Sequence, residues 1–213
     1  MDNNIKWLNE KKVERLLTNL QQNNMEGYFV QNQEELLSKI NELIKANSTV
    51  SVGGSATLSE TGVLDLLRNG NYNFLDRYEE GLKPDEIQKI FRDTFYADFY
   101  LTSSNAILES GELYNVDGNG NRVAAMLFGP KNVIVVAGIN KIVKNLDEAI
   151  QRNKNISAPA NCKRLNRKTP CTVTGTCMEC SSPERICNEY TLIKRQNQKG
   201  RIKVIIVNKI LGY

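Results

Sequence analysis

Histidine does not occur anywhere in the 213 residues. Its absence excludes Ser-His-Asp and Cys-His catalysis, HExxH metalloproteases and His-ligated zinc, and leaves acid–base work to Asp, Glu, Lys, Tyr or Cys. Long apolar runs are missing as well. Runs such as Val133 to Ala137 and Val204 to Val207 have the length of strands, far from the ~20 residues that a membrane span needs. The first dozen residues already carry charge, unlike a secretory signal, so the expected compartment is the cytoplasm. Aromatic residues make up only 7 % of the chain, and no aromatic RNA-binding motif or helix-turn-helix pattern is present. Acidic residues are scarce towards the C-terminus. Residues 1–150 hold 15 Lys/Arg against 21 Asp/Glu, whereas residues 151–213 hold 13 against 3. A basic tail without nucleic-acid motifs argues for an anionic small-molecule partner over nucleic acid.

What is present alternates strand and helix. Val13, Leu16, Leu17 and Leu20 recur at helical spacing, as do Leu36, Leu37, Ile40, Leu43 and Ile44, while Tyr28–Val30 and Thr49–Val52 read as strands. A helix over 60–68, a strand over 73–75, a helix from Pro84 to about Tyr96 and a strand over 98–101 follow. Residues 106–108 and 112–116 suggest a hairpin, Asp117 to Gly120 a turn, Val133–Ala137 a strand and Lys141–Arg152 a helix. The segment from Asn153 to about Cys187 reads as irregular, and Arg201–Val207 as a strand returning to the sheet. Together these predict one α/β domain over 1–213, an open, mostly parallel sheet with helices on both faces and an irregular Cys-rich loop at about 159–190.

That loop places Cys171, Cys177, Cys180 and Cys187 in a C-x5-C-x2-C-x6-C array. Four thiolates suit a [4Fe–4S] cluster or, as the alternative, a structural zinc; a single C-x2-C in one compact run leans towards the cluster. Cys162 reads as a small buried side chain. Three further segments offer ligand groups. Gly53, Gly54, Ser55 and Thr57 follow a buried strand and open a helix, a place where backbone N–H groups and hydroxyls bind phosphate or carboxylate. Asn105, Glu109, Asp117, Asn121 and Arg122 gather polar chemistry around turns, with Glu109 as a candidate general base and Arg122 as an anion clamp. Lys131, Asn140 and Lys141 flank a buried strand, and Lys141 is a candidate charged catalytic group beside Glu60 and Glu109.

The stretches VGGSATLSETG, Asp76-Arg77, NAILESGELYNVDGNGNRVAAMLFGPK, VVAGINKIV and the cysteine loop, in this order, resemble the single-domain proteins of the lactate-utilisation (LUD) family. The resemblance runs through nearly the whole chain. It implies a fold similar to that of the sugar-phosphate isomerase and CoA-transferase superfamily, with the ligand at the strand ends. It also implies redox-linked metabolism of a small organic acid, as an oxidoreductase or oxidoreductase subunit beside iron–sulfur partner subunits. Two alternatives stay open: a non-redox isomerase- or transferase-like enzyme with a structural zinc, and a non-catalytic ligand-sensing or scaffolding subunit.

Overall fold

In the computed structural model, which describes residues 2–213, the chain opens with helix α1 (Asn3–Gln22), capped by the Asp2 carboxylate, which accepts from the backbone N–H of Asn4 at 2.9 Å. It continues through β1 (Glu26–Val30), α2 (Gln33–Leu43), β2 (Thr49–Val52), α3 (Ala56–Glu60), α4 (Val63–Asn69), β3 (Asn73–Leu75), α5 (Pro84–Asp93) and β4 (Phe99–Thr102). Then come β5 (Ala106–Leu108), β6 (Leu113–Asp117), α6 (Asn121–Phe128), β7 (Asn132–Gly138), β8 (Ile142–Val143), α7 (Leu146–Arg152), α8 (Ala158–Arg164), α9 (Cys171–Thr174), β9 (Glu189–Ile193) and β10 (Ile202–Val207).

Six strands form a parallel sheet in the order β1-β10-β7-β4-β2-β3. The apolar strands β7 and β10 lie side by side in its interior, which explains why their sequences do not alternate: both faces are buried. Val133, Val135, Ala137, Ile202, Val204 and Ile206 pack on one face with Val13, Leu16 and Leu20 of α1 and Met126 of α6. Ile134, Val136, Ile205 and Val207 pack on the other with Leu36 and Ile40 of α2, Leu58 of α3 and Val63 and Leu67 of α4. The expected sheet with helices on both faces is therefore the one observed.

A second, four-stranded sheet, β8-β5-β6-β9, grows out of the end of β4. Ile107, Leu113, Ile142 and Ile193 join the first core, and Ala106, Leu108, Tyr114, Val116 and Val143 face Ala149 and Ile150 of α7 and Cys187. The β5–β6 hairpin turns at Gly111, whose φ of 92° and close approach to the Asn19 backbone leave no room for a side chain.

Three expectations need correction. Lys141–Arg152 is not one helix: a 3-10 turn at Ile139–Lys141 is followed by β8, because the β-branched Ile142 and Val143 pair with β5, and Asn145 then starts α7 by accepting from the N–H of Glu148 at 3.0 Å. The turn at Asp117–Gly120 opens α6, which the polar look of Asn121 and Arg122 conceals. Its C-terminal carbonyls are met by buried Arg201, donating to Met126 O at 2.7 Å and to Ala125 O at 3.3 Å. The segment after Asn153 is partly helical, with a π-turn at Asn153–Ser157 running into α8. Among the described residues no helix is long and apolar enough to cross a membrane.

Leu101, fully buried in the central β4 strand, reports on this core. Leu101→Ala is expected to lower unfolding stability by about 2–5 kcal/mol, read as a shift in urea midpoint with an unchanged slope.

Candidate active site

The carboxyl ends of the neighbouring strands β2, β4 and β7 deliver three polar segments to one place, the position where open parallel sheets hold ligands. From β2 come Gly53, Gly54 and Ser55. A Cβ at Gly53 would collide with the Tyr100 hydroxyl, Thr102 Oγ1 and the stem of Arg122, so glycine is what lets these strand ends close up. Ser55 caps α3 by accepting from the N–H of Leu58 at 3.2 Å, which leaves its O–H and one lone pair to offer a ligand. From β4 come Ser103, Ser104 and Asn105, and from β7 comes Lys141.

Lys141 is 3 % exposed, and its Nζ donates to Ser103 Oγ at 2.9 Å and to Thr57 Oγ1 at 3.0 Å. No carboxylate pairs with it. Burial pushes its pKa down from 10.5 to about 7, and the nearby guanidiniums of Arg152 and Arg122 push in the same direction, against a weaker pull from Glu60. Arg152 is itself buried, donating to Asn140 O at 3.0 Å, Asn105 O at 2.6 Å and Ser157 Oγ at 2.7 Å, so it ties the ends of β4 and β7 to the start of α8.

Arg122 differs from expectation. Nε donates to Asp117 Oδ1 at 2.8 Å, one terminal nitrogen donates to Asn115 Oδ1 at 2.6 Å and Ser103 O at 3.0 Å, and the other to Asn105 Oδ1 at 2.8 Å and Val116 O at 3.2 Å. Five donors meet five acceptors, so this guanidinium organises the site and has no donor left to clamp an anion. Asp117 is engaged in turn: its other oxygen accepts from Val123 N at 3.1 Å.

Gly54, Ser55, Ser103, Ser104, Asn105, Asp117, Arg122 and Lys141 line a cleft of about 470 Å³ that also takes in Arg77, Tyr78, Asn121, Arg164, Arg167, Tyr213 and residues 183–186 of the cysteine loop. Its charged walls are Arg77, Arg122, Lys141, Arg164, Arg167 and Arg185 against Asp117 and Glu184, an excess that favours anionic ligands. Arg77, absent from the sequence-derived site residues, is the cation best placed to use this field. It stacks over Phe91 at 4.5 Å and Tyr78 at 5.3 Å, its Nε is buried without a hydrogen bond, and a Cβ on Gly54 would stand only 3.6 Å from it. The Asp76-Arg77 pair in the sequence was its one signal.

Other expected residues sit elsewhere. Glu109 lies away from the cleft, accepting from Arg15 at 2.9 Å and so tying α1 to the hairpin. Glu60 is exposed and accepts from Gly212 N at 2.8 Å. Asn140 holds the C-terminal segment, accepting from Leu211 N at 3.0 Å. Lys131 is exposed at the amino end of β7, opposite the cleft.

The cysteines lie near one another but are held differently. Buried Cys171 sits 3.2 Å from Thr169 Oγ1 and beside Cys162, whose thiol burial pushes up to about 11. Cys187 lies near Cys177 and Cys180 and meets Arg185, which donates to its carbonyl at 2.7 Å. Among the described residues no three Cys, Asp or Glu side chains come together as a metal-binding group. As folded, then, the four thiols of Cys171, Cys177, Cys180 and Cys187 do not form the closed cage that a cluster or structural zinc requires.

A LUD domain model matches residues 13–207. The chain belongs to the LUD family. The LUD fold is also seen in a crystal structure of a DUF162 family protein from Deinococcus radiodurans, similar at a TM-score of 0.55 and 15 % identity over 94 % of this chain and 98 % of that one. No curated protein matches this chain.

The lowered Lys141 pKa makes stability pH-dependent with a defined sign. Between about 7 and 10.5 the unfolded chain holds a proton that the folded chain lacks, so the native state is penalised fully below that window and relieved as pH rises through it. Lys141→Met removes the penalty. Relative to wild type it is expected to be more stable at pH 6 than at pH 9, by on the order of a few kcal/mol in urea unfolding.

Proposed function

We propose that this LUD domain is an enzyme acting on a small organic acid or phosphorylated metabolite, bound in the strand-end cleft with Lys141 as the proton-transferring group. The observation that carries this reading is the setting of the amine, held at 2.9 and 3.0 Å by two hydroxyls, without a carboxylate, at the floor of a cation-rich cleft. An amine that titrates near neutrality is available as a base at physiological pH, and the proton it takes up is shared with Ser103 and Thr57. Arg77 supplies the anion contact, while Arg122 and Arg152 hold the strand ends in register around it. This places the reading nearest to isomerase- or transferase-type proton chemistry.

A redox-linked role in lactate-type metabolism, with iron–sulfur partner subunits, is the second reading. It is favoured by residues 183–186 of the cysteine loop forming a wall of the same cleft. Among the described residues no three of the thiols come together as folded, so a cluster or zinc held by Cys171, Cys177, Cys180 and Cys187 requires the loop to regroup.

Two measurements test these readings. In titration calorimetry with lactate and with a sugar phosphate, at least one ligand is expected to bind, Arg77→Met to weaken it by about tenfold or more, and turnover to rise with pH through about 7. Binding that is indifferent to Arg77, or absent for both ligand classes, would overturn the first reading. Anaerobic purification with iron, sulfide and zinc analysis, beside a Cys177→Ser/Cys180→Ser variant, tests the second. Iron and sulfide lost in the variant support a cluster, one zinc supports a structural loop, and metal-free protein assigns the loop to thiol chemistry.

A further inference from the structure

We infer that Lys141 is a covalent nucleophile, forming an imine with an aldehyde or ketone that carries a carboxylate or phosphate. The inference rests on the cleft being a site for small anions and goes further by fixing the reacting group of the ligand as a carbonyl.

A lysine needs three things for this chemistry: an unprotonated amine, a protected pocket and neighbours that move protons around a carbinolamine. The amine of Lys141 is fully withdrawn from bulk water yet lines the cleft. Its neighbours are neutral hydroxyls, which unlike a carboxylate do not hold it as ammonium, and two guanidiniums that favour its neutral form. Ser103 Oγ and Thr57 Oγ1, 3.5 Å from each other, both contact the amine, so either can exchange a proton with it. On the wall of the same cleft, the guanidinium of Arg77, whose Nε has no hydrogen-bond partner among the described residues, provides the contact for an anionic end.

The step balances without an oxidant. The Nζ lone pair attacks the carbonyl carbon, the C=O π electrons move to oxygen, and an amine proton follows to give the carbinolamine. Ser103 or Thr57 then gives its proton to the carbinolamine hydroxyl, which leaves as water while the nitrogen lone pair forms the C=N bond, and the remaining N–H proton returns to that side chain to leave the neutral imine.

The test is reductive trapping on the whole chain near pH 7, with cyanoborohydride and either pyruvate or glyoxylate in one arm and dihydroxyacetone phosphate in the other. Peptide mass mapping locates the adduct, and calorimetry without reductant is run on the same samples. The expected result is an adduct at Lys141 enriched on the order of a thousandfold over surface lysines, since a lysine near neutrality is about half unprotonated when ordinary lysines are almost wholly charged. The arm that reacts tells a 2-oxo acid from a phosphorylated ligand. The adduct should be lost from Lys141→Arg and diminished, with Lys141 still reactive, in Ser103→Ala. Binding of the probes without adduct at Lys141, or labelling spread evenly over surface lysines, would overturn the imine alone; no binding and no adduct would overturn the anion site with it.

Discussion

The guanidinium of Arg122 is the point on which both sheets depend. Its five hydrogen bonds reach the end of β4, the loop that leaves it, and three consecutive residues of β6, while its own backbone begins α6. The second sheet is short and grows from the rim of the first, so its orientation is decided at this junction. Charge pairing with Asp117 is necessary here because both side chains are largely withdrawn from water, at 11 % and 6 % exposure. A buried pair of this kind adds little net stability compared with an apolar replacement, but removing one partner strands the other at a cost of about 3–5 kcal/mol. Arg122 therefore specifies a geometry more than it stabilises one.

That geometry creates the electrostatics of the cleft. With Arg122 and Arg152 fixed against backbone carbonyls and amide side chains, two positive charges stand near Lys141, and neither can swing away when the lysine is protonated. Desolvation contributes most to keeping the amine neutral, but it would do so at any buried position. The fixed arginines make the effect specific to the strand ends, where substrate is expected. Arg152 serves the same end from the other side by joining Asn105, Asn140 and Ser157.

Much of this was legible in the sequence, and the part that was not shares a cause. Periodicity found α1, α2 and the buried β7 and β10 because burial on one stripe or on both faces leaves a pattern in consecutive residues. The GGS loop and Lys141 were legible because they adjoin such strands. Arg77 was not, since an arginine in a loop after a short strand looks solvated until Phe91 and Tyr78 stack around it. Glu109 misled for the opposite reason. Its neighbours in sequence suggested a site, yet its partner, Arg15, lies 94 residues away on α1. Whether a charged group is committed or available depends on partners distant in the chain, as the saturated Arg122 and the unsaturated Arg77 show from opposite sides.

The cysteine loop follows the same logic. Its spacing suggested four equivalent thiols, whereas the fold sorts them by burial: Cys171 turns inward to Cys162 and Thr169, while Cys177 and Cys180 remain partly exposed near Cys187. The intervening residues 183–186 form the cleft wall, and Arg185 bonds the carbonyls of Cys180 and Cys187 at once. Arg185 therefore links the backbone around two of the cysteines to one of the charges that line the cleft.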